Sequence, residues 1–321
     1  MHILVTGGAG FIGSHLCERL IHLGHSVTAL DNFITGDKSN LISLAGNSRF
    51  ELVDGSILDT SVLNPLVHGA DYVFHMAAAV GVFNIVNNPL ASLLTNIRGT
   101  ENVLEAAFAT KTPVFLSSSS EVYGKNISDS LKESDDRILG SPVTLRWSYS
   151  EAKAIDESLA YAYFVEKQLE TRIVRFFNTV GPRQLGAYGM VVPRFIKSAI
   201  ANEPITIYGD GTQTRCFTHV YDVIDAVIAI AFAEYTIGKV INIGNDFEIS
   251  INGLAQKIIA ETDSKSEIVF VPYEEAYGDG FEDMERRVPN IDLINQLVSW
   301  KPQRDLSTII SDISAEMKRS L

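Results

Sequence analysis

Three glycines near the start of the chain, Gly7, Gly10 and Gly13 in TGGAGFIG, have a spacing that suits phosphate binding. They follow one predicted strand and open one predicted helix, where glycine allows a tight turn and lets backbone amides approach a pyrophosphate. Asp31 ends the next predicted strand, where a carboxylate can accept hydrogen bonds from an adenosine ribose. The pattern predicts a dinucleotide site. Because Asp31 would repel a 2′-phosphate, NAD is favoured, and nearby Lys38 keeps NADP as the alternative.

A tyrosine and a lysine four residues apart, Tyr149 and Lys153 in WSYSEAK, form a candidate acid–base pair. On a helix, side chains at this spacing share one face. A tyrosine is a poor base at its ordinary pKa of about 10. A neighbouring ammonium, together with the positive charge of an oxidised nicotinamide, would lower that pKa and permit phenolate chemistry near neutral pH. Taken alone, the spacing is more typical of a structural helix.

A run of hydroxyls and a carboxylate occupies Ser117–Glu121 in VFLSSSSEVYG. It ends a predicted strand, and the carboxyl edge of a parallel sheet is where open α/β folds bind their ligands. The run is therefore a candidate substrate site. The alternative is a polar transition from strand to loop without a function.

These groups need elements that bring them together, and the chain alternates β-branched runs with segments of helical period. The strands are predicted at Ile3–Thr6, Ser26–Leu30, Arg49–Val53, Tyr72–His75, Val114–Ser118 and Thr171–Phe176. Helices are predicted at Phe11–Leu23, with Ile12, Leu16, Leu20 and Leu23 on one apolar face and Gly24 at its end, and at Ser150–Gln168. The fold class is therefore α/β, a Rossmann-like, doubly wound parallel sheet.

The composition of the sequence changes after Phe177, where the predicted loops are rich in glycine, proline and polar residues. We expect an NAD-binding domain over residues 1–177, with a segment near 215–250 that returns to its sheet. Residues 178–321 would form mainly a smaller, interleaved substrate-binding lobe.

Composition excludes several classes of function. The chain has 321 residues, 46% of them hydrophobic, and a formal net charge of -13, the wrong sign for a nucleic-acid or anionic-membrane binder. Cys17 and Cys216 make neither a zinc pattern nor a disulfide framework, and we predict no metal site. The longest apolar run, residues 223–233, is too short to span a bilayer. We expect a cytoplasmic protein.

The motifs also occur in the order of a known family. Over nearly its whole length the chain resembles the extended short-chain dehydrogenase/reductases that modify nucleotide sugars, on TGGAGFIGSHL, DNFITG, HMAA, SSSSEVYG, WSYSEAK, RFFNTVGPR, PITIYGDGTQTR and ERRVPNI. Its SEVYG, RWSY and RRVP segments are most similar to UDP-glucuronate decarboxylases and to UDP-apiose/UDP-xylose synthases. Sugar 4-epimerases usually lack a glutamate at Glu121, and 4,6-dehydratases generally carry an aspartate at Ser120.

The resemblance implies roles that spacing alone does not assign. The implied catalytic residues are Ser119, Glu121, Tyr149, Lys153 and Arg287. The implied cofactor-binding residues are Gly7, Gly10, Phe11, Ile12, Gly13, Asp31, Asn32, Asp54, Ile57, Ala77, Ala78, Asn96, Tyr149 and Lys153, with Asp54 and Ile57 beside the adenine. The implied substrate-binding residues are Ser119, Asn178, Arg183, Val192, Ile207, Tyr208, Arg215 and Arg287, with Arg215 on the diphosphate and Ile207 and Tyr208 against the base.

The implied chemistry passes through a transient 4-keto sugar, formed when Tyr149 takes the C4 hydroxyl proton and NAD takes the C4 hydride. A carboxylate at C5 would then leave as carbon dioxide, with Glu121 destabilising it by like-charge repulsion and Arg287 stabilising the enolate. Decarboxylation of UDP-glucuronate is expected first, because Glu121 and Arg287 accompany RWSY. Epimerisation at C4, and dehydration with Glu121 as the C5 base, are the alternatives.

A non-catalytic protein that senses NAD or a nucleotide sugar is the alternative of another class. Intact Ser119, Tyr149 and Lys153 argue against it, because a sensor could lose all three. The expected ligand is a UDP-linked sugar, and the resemblance implies a homodimer formed through two helices of the larger lobe.

Overall fold

The computed structural model describes residues 1–81, 85, 87–186, 190–272, 275, 284 and 286–319. The strands are β1 His2–Thr6, β2 Ser26–Asp31, β3 Phe50–Asp54, β4 Tyr72–His75, β5 Val114–Ser119, β6 Thr171–Phe176, β7 Thr179–Val180, β8 Ile205–Tyr208, β9 Thr214–Cys216, β10 Thr218–His219, β11 Val240–Ile243, β12 Glu248–Ser250 and β13 Ile268–Val271. The α-helices are α1 Phe11–His22, α2 Thr60–His68, α3 Pro89–Thr110, α4 Ser148–Lys167, α5 Val191–Ala201, α6 Val220–Ala231, α7 Ile251–Glu261, α8 Asp292–Val298 and α9 Leu306–Arg319.

Seven strands form one parallel sheet in the order β11-β6-β5-β4-β1-β2-β3. Val5 of β1, for example, pairs with Ala29 of β2 on one side and with Phe74 of β4 on the other. The predicted α/β class and parallel sheet are confirmed. The order reverses beside β1, so the carboxyl ends of β1 and β4 border the crevice in which such sheets bind ligands.

Helices cover both faces of this sheet and bury its apolar side chains. One face is covered by α1, α6 and α8, which join a cluster that includes Leu16, Val223 and Ile294. The other face is covered by α2, α3 and α4. A sheet covered on both faces needs nearly continuous apolar strands, and the sequence supplies them.

The chain after β6 alternates between this sheet and a second core. Helix α6 packs on α1, and β11 extends the sheet beside β6. The second core lies between α5, α7 and α9, over the short pairs β8–β13 and β9–β12. The division into an NAD-binding domain before residue 178 and a substrate-binding lobe after it stays a prediction.

Three details differ from the sequence-based expectation or refine it. Leu23 is 42% exposed, because α1 ends at His22 and Leu23 is its cap, whereas Gly24 has the positive φ of +92° expected after a helix end. Helix α4 begins two residues earlier than predicted, after a 3-10 turn at Leu145–Trp147. No helix in the described ranges is long and apolar enough to cross a membrane.

Candidate active site

A cavity of about 710 Å³ lies where the large sheet meets the second core. Its wall combines the three groups of residues that the sequence singled out: the glycine turn follows β1, the serine run ends β5, and Tyr149 and Lys153 lie on α4. From the predicted sets it contains Gly7, Gly10, Phe11, Ile12, Gly13, Asp31, Asn32, Ile57, Ala77, Ala78, Ser119, Glu121, Tyr149, Lys153, Asn178, Arg183, Val192, Tyr208, Arg215 and Arg287.

The glycine turn is too tightly packed for side chains. Gly7 has a φ of +68°, and a Cβ at Gly13 would lie 2.1 Å from the Gly7 carbonyl oxygen. Gly10 caps α1 without a side-chain hydrogen bond, and the first turn of that helix has no acidic residue. These features fit a pyrophosphate held by backbone amides at the helix N-terminus.

Asp31 is buried at the end of β2 and is oriented by the glycine turn. Its Oδ2 accepts a hydrogen bond from the Ala9 amide at 2.9 Å, and its Oδ1 accepts one from the Phe33 amide at 2.8 Å. Each carboxylate oxygen can accept another bond, so the group can still receive ribose hydroxyls. Lys38, the reason for keeping NADP open, contacts Asp54 at 3.5 Å.

Two of the predicted cofactor residues lie outside the wall of the cavity. Asp54 pairs with Lys38 at the surface, where its side chain is largely exposed. Asn96 is buried behind the wall, and its amide bonds both the N–H and the carbonyl of Ala79, at 2.7 and 3.3 Å. Asn96 therefore shapes the loop after β4 from behind.

The serines of the run Ser117–Ser120 all border the cavity, but their hydroxyls have different partners. The Ser117 hydroxyl donates to the His75 carbonyl at 2.9 Å, and the Ser118 hydroxyl donates to Glu157 at 2.5 Å, so both tie β5 to its neighbours. Ser119 ends the strand and lines the cavity, where it hydrogen-bonds Tyr149. It is the hydroxyl of this run that lies beside the candidate base.

Tyr149 and Lys153 share one face of α4, as predicted for residues four apart, and both line the cavity. The Lys153 Nζ is buried and donates to the Ser117 carbonyl at 3.0 Å and to Asp156 Oδ2 at 3.3 Å. The residues of this chain alone do not lower the pKa of Tyr149 as expected. Burial, followed by the charges of Glu121 and Asp156, raises the pKa of Tyr149.

Glu121 lies between two arginines. One oxygen accepts a hydrogen bond from Arg146 at 2.6 Å and the other accepts one from Arg287. Burial raises the pKa of this carboxyl, but the two guanidiniums outweigh burial and hold it well below its usual range. The expected like-charge repulsion by Glu121 is therefore corrected: two guanidiniums already engage the charge of this carboxylate.

Arg287 is fixed by a second partner across the cavity. It donates to the Asn178 Oδ1 at 2.5 Å, while the Asn178 Nδ2 donates to the Cys216 carbonyl at 2.8 Å. Asn178 has a φ of +31°, a conformation that asparagine tolerates better than most residues. Arg287, which is distant in sequence, is thus held against the loop that follows β6.

Two of the predicted substrate residues are placed differently from the expectation. Ile207 is fully buried in the second core, because alternation along β8 leaves only its neighbour Tyr208 on the cavity. The Arg183 guanidinium donates to Ser14 at 3.2 Å and to Glu18 at 2.7 Å. Both acceptors are in α1, so Arg183 lies against the cofactor side of the cavity.

Sequence reasoning assigned no role to Arg146 or Asp156. The signals were present, since Arg146 begins the RWSY segment and Asp156 follows Lys153 at a helical spacing of three. Neither ion pair could be derived from spacing alone. Among the residues that the structure describes, no cluster of side chains is suited to hold a metal ion.

Comparison with known proteins gives consistent matches. The model of the NAD dependent epimerase/dehydratase family matches residues 3–244. A UDP-N-acetyl-alpha-D-glucosaminuronate decarboxylase of Bacillus cytotoxicus is 43% identical over 93% of this chain and 92% of its own length. UDP-glucuronic acid decarboxylase 1 of Danio rerio is 35% identical over 98% of this chain and 73% of its own length. A UDP-glucuronic acid 4-epimerase from Bacillus cereus, solved with UDP-glucuronic acid and NAD, has a TM-score of 0.90 and 31% identity over the full length of both chains.

Proposed function

Because the chain belongs to the NAD dependent epimerase/dehydratase family, we propose that it decarboxylates a UDP-linked uronic acid through a transient 4-keto sugar. UDP-glucuronate is the first candidate substrate. Relatives named as decarboxylases of uronic acid nucleotides match nearly the whole chain, which supports this reaction class.

The observation that carries the proposal is the pair of buried guanidiniums, Arg146 and Arg287, that hold Glu121 in the cavity. Hydrogen bonds between a guanidinium and a carboxylate are among the strong, specific contacts in proteins. A sugar carboxylate beside Ser119 and Tyr149 would be bound by Arg287, whereas a neutral hexose would offer no such group. The Asn178 amide, which orients Arg287, would fix the position of this contact.

The cofactor is NAD, which would accept a hydride from C4 of the sugar and later return it. The glycine turn would hold its pyrophosphate, and Asp31 would accept hydrogen bonds from the adenosine ribose. The Lys153 ammonium has three hydrogens, and two of them bond Ser117 and Asp156. The third would donate to the nicotinamide ribose.

The chain's own residues would handle the protons. Ser119 and Tyr149 would both hydrogen-bond the C4 hydroxyl, and the Tyr149 phenolate would take its proton as the hydride leaves. In the resulting β-keto acid, the bond from C5 to the carboxyl carbon breaks and its electron pair moves into an enolate. Arg287 would stabilise that enolate. One proton from water replaces carbon dioxide at C5, and Tyr149 returns its proton to O4.

The ion pairs of Glu121 help to distinguish the alternative functions. Dehydration of a neutral hexose needs a base at C5, and a carboxylate held by two arginines is a poor base. This disfavours the dehydratase. A 4-epimerase acting on a uronic acid would use the same charge cluster and is distinguished by its product. A sensor without catalysis would not need the acid–base pair of Tyr149 and Lys153.

The substrate could carry an acetamido group at C2. The relative that shares 43% identity is named as a decarboxylase of UDP-N-acetylglucosaminuronate, whereas those named for UDP-glucuronate share 34–36%. This difference favours the acetamido sugar as the second candidate.

The test is a substrate panel with NAD. UDP-glucuronate and UDP-N-acetylglucosaminuronate would be compared with UDP-glucose, with product mass and carbon dioxide recorded. We expect a pentose product and carbon dioxide from one of the two uronic acids. UDP-galacturonate without carbon dioxide would identify an epimerase, and a keto-deoxy sugar from a neutral hexose would identify a dehydratase. Inertness towards every sugar would favour the sensor.

We further infer a cytoplasmic homodimer that does not bind nucleic acid. Support for the dimer comes from α4, where Ile155, Ser158, Ala162 and Val165 form an exposed line with helical spacings of three and four. Helix α3 packs against α4, and its Arg98 and Glu101 are exposed. Net charge and composition support the remaining inferences.

A further inference from the structure

A fully buried carboxylate lies behind the acid–base pair and has no part in the mechanism above. Asp156 is 0% exposed, one helical turn beyond Lys153 on α4, and its Oδ2 lies 3.3 Å from the Lys153 Nζ. An ionised carboxylate at such depth is stable only with a partner. The ammonium of Lys153 is that partner.

The other groups around Asp156 are polar but uncharged or already paired. Thr100 of α3 lies beside it, and the Thr100 hydroxyl lies 3.2 Å from the His75 Nε2 at the end of β4. Burial, with a smaller contribution from Lys153, lowers the pKa of His75 to about 3, so this histidine is neutral at neutral pH. On the same helix, Glu157 is bonded by both Arg175 and Ser118.

This pairing explains why Lys153 alone does not make Tyr149 a base. Lys153 and Asp156 form a buried contact pair on the same helix, so the negative charge of Asp156 opposes that of the Lys153 ammonium at Tyr149 and contributes to the raised pKa of Tyr149. Among the described residues, Glu121 and Arg287 also act on Tyr149, and they too form a pair.

We propose that Asp156 is a positioning residue that neutralises and holds the Lys153 ammonium, so that the ionisation of Tyr149 follows the charge of the nicotinamide. Tyr149 would then lose its proton beside the oxidised, positive ring and keep it beside the reduced, neutral ring. Proton and hydride would move together in both directions, which disfavours release of the ketone. The proposal rests on the NAD-dependent reaction proposed above.

A test that needs no turnover is the alkaline titration of Tyr149. The ultraviolet tyrosinate signal of Tyr149→Phe is subtracted from that of the natural chain, and the same subtraction is made in the Asp156→Asn background. Removing the negative charge should move the Tyr149 titration to lower pH by about one unit. Asp156→Glu, which keeps the charge, and Asp225→Asn, which removes a surface charge near Arg19, should leave it unchanged.

The second readout is the pH profile of kcat/KM with NAD and the active uronic acid. Its acid limb should move in the same direction in Asp156→Asn and in the smaller neutral variant Asp156→Ser. A uniform loss of rate without a shift in either readout, or failure of both neutral variants to fold, would make Asp156 merely structural and overturn the proposal. If no nucleotide sugar is turned over, the proposed function fails, while the tyrosinate titration still decides the role of Asp156.

Discussion

The hydroxyl of Tyr149 is the smallest group on which the proposed chemistry depends. Tyr149→Phe keeps the ring packing and removes only the hydroxyl that bonds Ser119. We expect turnover to fall by about 10²–10⁴-fold, the usual effect of losing an acid–base group, with the unfolding free energy changed by about 1 kcal/mol or less. Steady-state kinetics and urea denaturation check both parts. Near-normal turnover would remove Tyr149 from the mechanism.

In the proposed mechanism, Glu121 governs how firmly the cavity holds the sugar carboxylate. Glu121→Gln removes one negative charge from between Arg146 and Arg287 at nearly constant shape, so the site becomes more positive by one charge. The extra charge should stabilise the bound carboxylate more than the transition state, in which that charge is leaving. We therefore expect kcat for decarboxylation to fall by about 10²-fold while KM stays equal or decreases. A higher KM with an unchanged kcat would contradict this account.

The neighbouring arginines supply the matched comparison for that variant. Arg287→Ala should impair both KM and kcat, because it removes the contact to the carboxylate and to the enolate. Arg286 is the adjacent residue but pairs with Glu248, so Arg286→Ala should have little effect on either constant. Equal effects of the two substitutions would indicate that this segment acts only through folding.

At the scale of elements, the close packing of β1 on α1 decides cofactor binding. A Cβ at Gly13 would meet the Gly7 carbonyl carbon at 2.9 Å as well as its oxygen at 2.1 Å, so the turn must move. Gly13→Ala should weaken NAD binding by about tenfold or more and cost about 1–3 kcal/mol of stability. The control is Gly69→Ala, whose nearest contact would be an ordinary 3.4 Å. Calorimetric titration with NAD measures these affinities. Equal affinities of Gly13→Ala and the natural chain would refute the prediction.

His75 ties three elements together and gives the fold a pH dependence. Its ring bonds Thr6 of β1 at 2.8 Å and Thr100 of α3 at 3.2 Å. Burial lowers its pKa from 6.5 to about 3, so between these values the unfolded chain binds the proton and the folded chain does not. Stability from this residue is therefore present above about pH 6.5 and lost as the pH falls towards 3, by about 2 kcal/mol at pH 5.

Urea denaturation between about pH 7 and about pH 5 checks this dependence. His75→Gln should lose about 2 kcal/mol less than the natural chain over that range, since its side chain does not titrate. His68→Gln replaces an exposed histidine at the end of α2 and should follow the natural chain. Identical slopes for all three proteins would mean that His75 is protonated in the folded state.

Sequence reasoning predicted the elements better than the contacts between distant side chains. Strand positions follow from short apolar runs, and the large sheet then brings Gly7, Asp31 and Ser119 to one edge by geometry alone. The Glu121–Arg287 contact spans 166 residues and depends on loops whose path has no periodic signal. The burial of Ile207 likewise depends on which face of β8 meets the second core.

For the molecule as a whole, the distribution of charge matters more than its sum. The chain has a formal net charge of -13, yet the part of the cavity wall formed by described residues has six basic side chains and two acidic ones, Asp31 and Glu121. The basic residues are Arg146, Lys153, Arg183, Arg194, Arg215 and Arg287. A positive cavity in an acidic protein focuses its field inward. Such a field would favour the anionic UDP-uronic acid proposed above.

The last prediction concerns the assembly of two chains. In a symmetric dimer through α3 and α4, each residue of the contact occurs twice, so one substitution introduces two charges. Ile155 is 43% exposed and is the first residue of the exposed line on α4. Ile155→Glu should raise the dissociation constant by about 10²-fold, because a desolvated carboxylate without a partner costs several kcal/mol.

Sedimentation velocity would show the change as a shift from twice the 35.2 kDa of one chain to a single chain. Ile42→Glu is the matched control, since Ile42 is 77% exposed in the 3-10 helix Lys38–Leu44, outside the proposed contact. A natural chain that sediments as a monomer at all concentrations would rule out the dimer. A dimer unaffected by Ile155→Glu would move the contact to another face.

Because α4 also carries Tyr149 and Lys153, a dimer formed there would brace the helix that holds the acid–base pair. The Ile155→Glu monomer should therefore lose some turnover even though its cavity residues are unchanged.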